Sequence, residues 1–87
     1  MRIEFDTVKD TANLEKHKVS LALGAFVLEN PIGEVVDDRI AYGEVRVNAF
    51  GLIGERLFAC TYTRRDDVRR IISVRRANKR ERRKWLS

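Results

Sequence analysis

The spacing of apolar residues along the chain changes from a helical period to a strand period near Gly33. Before this residue apolar positions recur about every four residues, and after it they alternate with polar positions. The change predicts helices first and strands afterwards. The predicted elements are, in chain order, a strand over 3–5, a helix from an Asp6 cap to Lys16, a helix from a Ser20 cap to Leu28, strands over 34–37, 45–51, 56–63 and 68–75, and a helix over 77–85.

This order of elements predicts an α+β domain spanning residues 1–87, with an antiparallel sheet, two N-terminal helices on one sheet face and a basic C-terminal helix. The opposite sheet face is then partly open. The residues predicted for this face or its rim, as a shallow basic concavity, are Arg46, Tyr62, Arg69 and Arg75.

Strict alternation in the last strand assigns its side chains to the two faces of the sheet. The predicted core side consists of Val68, Ile72 and Val74, and the predicted other side of Arg69, Ile71, Ser73 and Arg75. Arg70 then points with the core residues. We therefore expect Arg70 to have a partner or to lie at the rim of the sheet.

Charge is distributed unevenly along the chain. The net charge is +5, but residues 64–84 hold eleven basic side chains against three acidic ones. A one-sided basic surface attracts a polyanion, which is either a nucleic acid or an acidic protein segment. The second predicted helix is apolar all round, which indicates burial on two sides or contact with a partner.

Composition excludes several classes of protein. Cys60 is the only cysteine, so an intramolecular disulfide and a CxxC redox motif are excluded, and we expect Cys60 to fill the core. The first residues lack the apolar stretch of a signal peptide, and no run is long enough for a membrane span. The sequence therefore predicts a cytoplasmic protein without a membrane partner.

The chain lacks a glycine-rich phosphate loop, a metal-ligand cluster and a nucleophile elbow. The sequence accordingly predicts no cofactor and no metal. Phosphodiester cleavage of RNA remains, because RNA supplies its own 2′-hydroxyl nucleophile. The protein would supply a proton acceptor, cations for the transition-state charge and a proton donor for the leaving oxygen, and arginine suits the second task since its fork matches two phosphate oxygens.

His17 and Tyr62 are the candidates for proton transfer. His17 titrates near neutrality, but it could equally stabilise the C-terminal end of the first helix. Tyr62 could instead be a half-buried strand aromatic. We expect Glu81 to pair with an arginine along its own helix.

Three groups of residues resemble the BrnT family of ribonuclease toxins: Asp6-x-x-Lys9 with Asn13-Leu14-x-Lys16-His17-x-Val19-Ser20, Tyr42-Gly43-Glu44-x-Arg46, and Arg70-Ile71-Ile72-Ser73-x-Arg75-Arg76-Ala77. The resemblance spans almost the whole chain. It implies a RelE-like fold, ribonuclease activity that inhibits translation, and neutralisation by a BrnA-like antitoxin with a ribbon-helix-helix domain that binds operator DNA. The sequence departs from the family at Phe5, where tryptophan is usual, and at Lys18, where glycine is usual. Since glycine permits a positive φ, Lys18 predicts a different link and a displaced His17.

The sequence thus predicts an endoribonuclease with candidate catalytic residues His17, Tyr62, Arg64, Arg75 and Arg76. The candidate RNA-binding residues are Lys16, Arg46, Arg69, Arg70, Lys79 and Arg80. Clustered guanidinium groups are expected to converge over a half-open sheet. The alternatives are a noncatalytic nucleic-acid-binding module with a basic C-terminal helix and a pure interaction protein whose basic face serves an acidic antitoxin.

Overall fold

The structure, a computed structural model, describes residues 2–37 and 43–87. Its elements are β1 (Arg2–Glu4), α1 (Thr7–His17), a 3₁₀ helix (Leu21–Leu23), α2 (Gly24–Glu29), β2 (Gly33–Asp37), β3 (Arg46–Ile53), β4 (Arg56–Arg65), β5 (Val68–Arg76) and α3 (Lys79–Leu86). The α+β class is confirmed. No helix in this described part of the chain is long and apolar enough to cross a membrane.

The five strands form one sheet in the order β1-β5-β4-β3-β2. β2 to β5 are antiparallel, but β1 pairs with β5 in parallel, with Ile3 opposite Arg69. The predicted purely antiparallel sheet is therefore wrong at this edge. Parallel pairing is possible there because the chain between β1 and β5 contains two α-helices, the 3₁₀ helix and three strands, which is far longer than a hairpin turn.

The larger core cluster joins α2 and the 3₁₀ helix to one face of the sheet, called here the helix face. Its buried members are Leu21, Val27, Leu28, Ala49, Phe58, Cys60, Tyr62, Ile71 and Val74. Cys60 is fully buried, as expected for a core residue, and its burial raises the pKa of the thiol to about 12.

A smaller cluster lies on the opposite face, where α3 packs against the sheet. Phe50, Leu57, Ala59 and Ala77 are its buried members, with Trp85 packed against them. The Trp85 ring stacks on Phe50 with ring centroids 5.3 Å apart. A Cβ atom on Gly33 would lie 2.2 Å from the Trp85 ring, so the ring requires glycine at this position.

A β-bulge in β5 overturns the predicted assignment of its side chains. Tyr62 pairs with Ile71, but Thr61 pairs with Ser73, so Ile72 is the extra residue. Ile71 and Val74 consequently share the helix face, where both are buried. The face assignment from strict alternation is wrong on one side of Ile72, because a period-two pattern in the sequence does not reveal the extra residue of a bulge.

Both predicted helix caps are present. Asp6 accepts hydrogen bonds from the backbone of Val8 and Lys9, and Ser20 accepts one from Ala22. Lys18 adopts the left-handed conformation, with φ 66° and ψ 20°, and its N–H donates to Leu14 O. The expectation of a different link is therefore wrong, because lysine occupies the conformation that favours glycine.

Candidate functional site

Among the described residues α3 covers the face of the sheet opposite α2 at one end only, and the remainder of that face is called here the open face. Register places Asn48, Thr61 and Ser73 in one row across β3, β4 and β5. A second row contains Arg46, Thr63 and Arg70, with Glu4 beside Arg70 on β1. Adjacent strands lie about 4.8 Å apart, so the side chains of each row lie next to one another. The two rows together form a short polar strip across the sheet.

The floor of the open face consists of polar side chains that are held in fixed positions. The Thr61 hydroxyl donates to Asn48 Oδ1 at 2.6 Å, and the Thr63 hydroxyl donates to Val45 O at 2.9 Å. Thr63 is buried although it is polar, and its hydrogen bond accounts for that. Arg46 and Arg70 stand at the two ends of the second row.

Arg75 stands at the boundary between the open face and α3. Its Nη1 and Nη2 atoms donate to the two carboxylate oxygens of Glu81, at 2.7 and 2.9 Å. This pairing raises the pKa of Arg75 and lowers the pKa of Glu81, so both groups stay charged. The expectation that Glu81 pairs along its own helix is wrong, since its partner lies on β5.

Arg70 and Arg46 also lie on the open face, and each has a carboxylate partner. Arg70 Nη1 lies 3.0 Å from Glu4 Oε1, with Asp6 Oδ2 at 4.0 Å from Nη2. Arg46 Nε lies 3.6 Å from Glu44 Oε1. The prediction that Arg70 needs a partner or a rim position is confirmed, although the bulge puts Arg70 on the opposite side from Ile71 and Val74.

His17 ends α1 beside the exposed edge of β5, beyond the end of β1. His17 and Lys16 line a pocket of about 210 Å³ together with Ser73, whose side chain belongs to the open face. Burial lowers the pKa of His17, and the charges of Lys16 and Arg75 lower it further. The structure thus brings His17 into the electrostatic field of Arg75.

Tyr62, Arg64 and Arg69 lie on the helix face and not on the open face. The Tyr62 hydroxyl donates to Glu34 Oε1 at 3.0 Å, and the Arg69 guanidinium lies 5.2 Å from the centre of the Tyr62 ring. The predicted placement of Tyr62 and Arg69 on the open face is therefore wrong. Burial and the hydrogen bond to Glu34 raise the pKa of Tyr62, which makes it a poor proton donor near neutral pH.

The structure does not bring Arg64, Arg75 and Arg76 together, so the expected convergence of these three groups is wrong. Arg64 lines a pocket of about 450 Å³ with Tyr62 on the helix face. Arg76 lines another pocket of about 240 Å³, with Arg56 and Arg82. Lys79 and Arg80 are exposed in the first turn of α3.

Sequence reasoning missed the polar floor and the role of Glu81. The signal for the floor is a polar residue at every second position in three strands: Arg46-x-Asn48, Thr61-x-Thr63 and Ser73-x-Arg75. The signal for Glu81 is the sequence Asn78-x-x-Glu81, a capping box whose two hydrogen bonds are present. Tyr42, quoted for the family resemblance, lies outside the described residues.

No group of three or more His, Cys, Asp or Glu side chains within residues 2–37 and 43–87 is arranged to hold a metal ion. The open face combines arginines paired with carboxylates, hydroxyl groups and the Asn48 amide, and His17 lies at its edge. Guanidinium, hydroxyl and amide groups on a sheet face can form hydrogen bonds to the phosphates and sugars of a nucleic acid.

The family comparison gives the particular protein type. The sequence matches the model of a protein family, described as the ribonuclease toxin BrnT of type II toxin-antitoxin systems, over residues 5–81. The chain belongs to this family of ribonuclease toxins, and the resemblance stated from its motifs is confirmed. A search of curated proteins found no match to the sequence.

Proposed function

We propose that this chain is a metal-independent endoribonuclease toxin that cleaves RNA on the open face of its sheet. The observation that carries the proposal is the family match over residues 5–81. The open face supports it with arginines beside the half-buried Asn48, Thr61 and Ser73, since arginines bind phosphates and the smaller polar groups can contact sugars. Cleavage in the cell would inhibit translation.

Arginine supplies the charge that a pentavalent phosphate needs in the transition state. Arg75 is the principal candidate, because its guanidinium is about one-third exposed and held by a bidentate ion pair. Arg46 and Arg70 lie along the strip and bind the flanking phosphates. Lys79 and Arg80 extend the basic surface into α3 and strengthen RNA binding through charge.

His17 is the candidate general base. A lowered pKa keeps its imidazole neutral at pH 7, which is the form that accepts a proton from the 2′-hydroxyl. The positive charge of Arg75 both stabilises this neutral form and attracts the phosphate. Tyr62, Arg64, Arg69 and Arg76 lie away from this arrangement, and we assign them no part in cleavage.

The partner of the toxin is proposed to be a BrnA-like antitoxin with a ribbon-helix-helix domain, through which the complex reaches operator DNA in the cytoplasm. An acidic segment of this antitoxin would neutralise the basic region 64–84, and an apolar segment would cover Phe26 of α2, which is 58% exposed. The fold is proposed to be RelE-like.

The test is incubation of the purified, partner-free protein with a labelled single-stranded RNA in the presence of a metal chelator. We expect cleavage that stops when the ribose at the cut site is replaced by 2′-deoxyribose, because the nucleophile is then absent. Salt-sensitive binding without cleavage would instead support the noncatalytic module. No binding and no cleavage would contradict both readings.

A further inference from the structure

Arg75 and Glu81 lie at one end of a register row that α3 follows across the sheet. Gly33, Phe50, Ala59 and Arg75 are paired in this row on β2, β3, β4 and β5. Trp85 covers the end of the row at Gly33 and Phe50, and Glu81 contacts the end at Arg75. One helix is therefore fixed at both sides of the sheet.

The guanidinium of Arg75 has two edges that can each bind an oxyanion through two N–H groups. Glu81 occupies the edge formed by Nη1 and Nη2. Among the described residues, nothing accepts a hydrogen bond from Nε of Arg75. The second edge, formed by Nε and the remaining proton of Nη2, thus has no acceptor in the described part of the chain, and the Arg75 side chain is about one-third exposed.

Glu81 itself is held from two directions. Its Oε1 accepts a hydrogen bond from the backbone N–H of Asn78 at 2.9 Å, and its own N–H donates to Asn78 Oδ1 at 2.8 Å. Its side chain is only 17% exposed. The carboxylate is therefore a fixed point against which the Arg75 side chain, with several rotatable bonds, is oriented.

We propose that Glu81 is a positioning residue for RNA cleavage: it binds one edge of the Arg75 guanidinium and so aims the other edge at the scissile phosphate. This inference rests on the proposed function and adds how the Arg75 guanidinium is oriented before RNA binds. Glu81 acts through Arg75 and does not touch RNA. Fixing the plane of the guanidinium before RNA binds removes reorganisation from the cleavage step.

An opposite role for Glu81 makes an opposite prediction. If Glu81 competed with phosphate for Arg75, removal of its charge would strengthen RNA binding and leave or increase the cleavage rate. The two-edge geometry favours positioning, because the edge bound by Glu81 and the edge available to phosphate are different. The two roles are separated by measuring binding and turnover independently.

The test is a double-mutant cycle of Glu81→Gln and Arg75→Ala, measured as kcat for RNA cleavage and as Kd for an RNA with 2′-deoxyribose at the cut site. Glutamine keeps an N3 residue suited to the capping box, but it brings an amide donor against an arginine donor. We expect Glu81→Gln to lower kcat on the order of 100-fold, as for a misplaced catalytic group, with little change in Kd. In the Arg75→Ala background the same change should have no further effect.

The matched control is Asn78→Ala, which removes the cap hydrogen bond to the Glu81 N–H but keeps the backbone N–H of residue 78 and the Arg75 guanidinium, the two groups that bind the Glu81 carboxylate. We expect its kcat to stay near the wild-type value, with a lower melting temperature.

Equal losses of kcat in Asn78→Ala and Glu81→Gln would show that α3 stability alone matters, which overturns the inference. An equal loss from Glu81→Gln with and without Arg75, or tighter binding with undiminished kcat, also overturns it while leaving the proposed function intact. Wild-type protein that leaves RNA uncut overturns both.

Discussion

Asn13 of α1 completes the edge of β5 by pairing its side-chain amide with the backbone of Val74. Asn13 Nδ2 donates to Val74 O at 2.8 Å, and Val74 N donates to Asn13 Oδ1 at 3.2 Å. The same Nδ2 donates to Val19 O at 2.8 Å. The amide thus acts as a strand partner beyond the end of β1, and it holds the C-terminal half of α1, with His17, against the edge of the sheet.

Replacing Asn13 by alanine is expected to lower the free energy of unfolding by about 2 kcal/mol, because the Val74 peptide groups lose their partners. The measurement is urea denaturation followed by circular dichroism. Glu15→Ala on the same helix is the control, since Glu15 is exposed, and should change stability by less than about 0.5 kcal/mol. An equal effect of both substitutions would contradict the role of the Asn13 amide.

Lys18 is strained in the left-handed conformation, so Lys18→Gly is expected to stabilise the fold. The conformation costs a residue with a Cβ atom about 1 to 2 kcal/mol, part of which glycine loses again through its freer unfolded chain. The expected net gain is up to about 1 kcal/mol. A shift of the melting temperature to a higher value would show this, and a lower melting temperature would be the contrary result.

The sequence predicts the elements well because caps and periods are local signals. Asp6 and Ser20 cap α1 and the 3₁₀ helix, and the change of period at Gly33 coincides with the start of β2, although the helix predicted from Ser20 to Leu28 is divided into the 3₁₀ helix and α2. Assignment of the strand faces failed where it depends on pairing across strands: the bulge at Ile72 reverses the alternation of β5. The many arginines of the sequence predict a phosphate-binding protein. Only the pairing register of β4 and β5 shows that Arg75 and Arg64 lie on opposite faces of the sheet.

The pKa of His17 is expected to lie below 6.5, because burial, Lys16 and Arg75 all disfavour its charged form. A general base must be neutral, so the cleavage rate should rise with pH through this lowered pKa and level off above it. His17 binds a proton more tightly in the unfolded chain than in the folded one. The free energy of unfolding should therefore decrease as the pH falls below 6.5. The histidine signal in NMR is unambiguous because the chain has only one histidine.

His17→Gln should remove this rise of kcat with pH, which is the acid limb of the pH profile. If the variant keeps both the wild-type rate and the limb, another group is the base. A measured pKa above 6.5 would contradict the lowering of the His17 pKa by burial, Lys16 and Arg75.

The most direct test of the account compares Arg75→Ala with Arg64→Ala in cleavage of the same RNA by partner-free protein. Both are strand arginines in the basic region, but Arg75 borders the open face and Arg64 lies on the helix face. We expect Arg75→Ala to lower kcat on the order of 100- to 1000-fold, as for the loss of a transition-state hydrogen-bond donor, with Arg64→Ala near the wild-type kcat. An equal loss in both variants, or a larger loss for Arg64→Ala, would contradict cleavage on the open face.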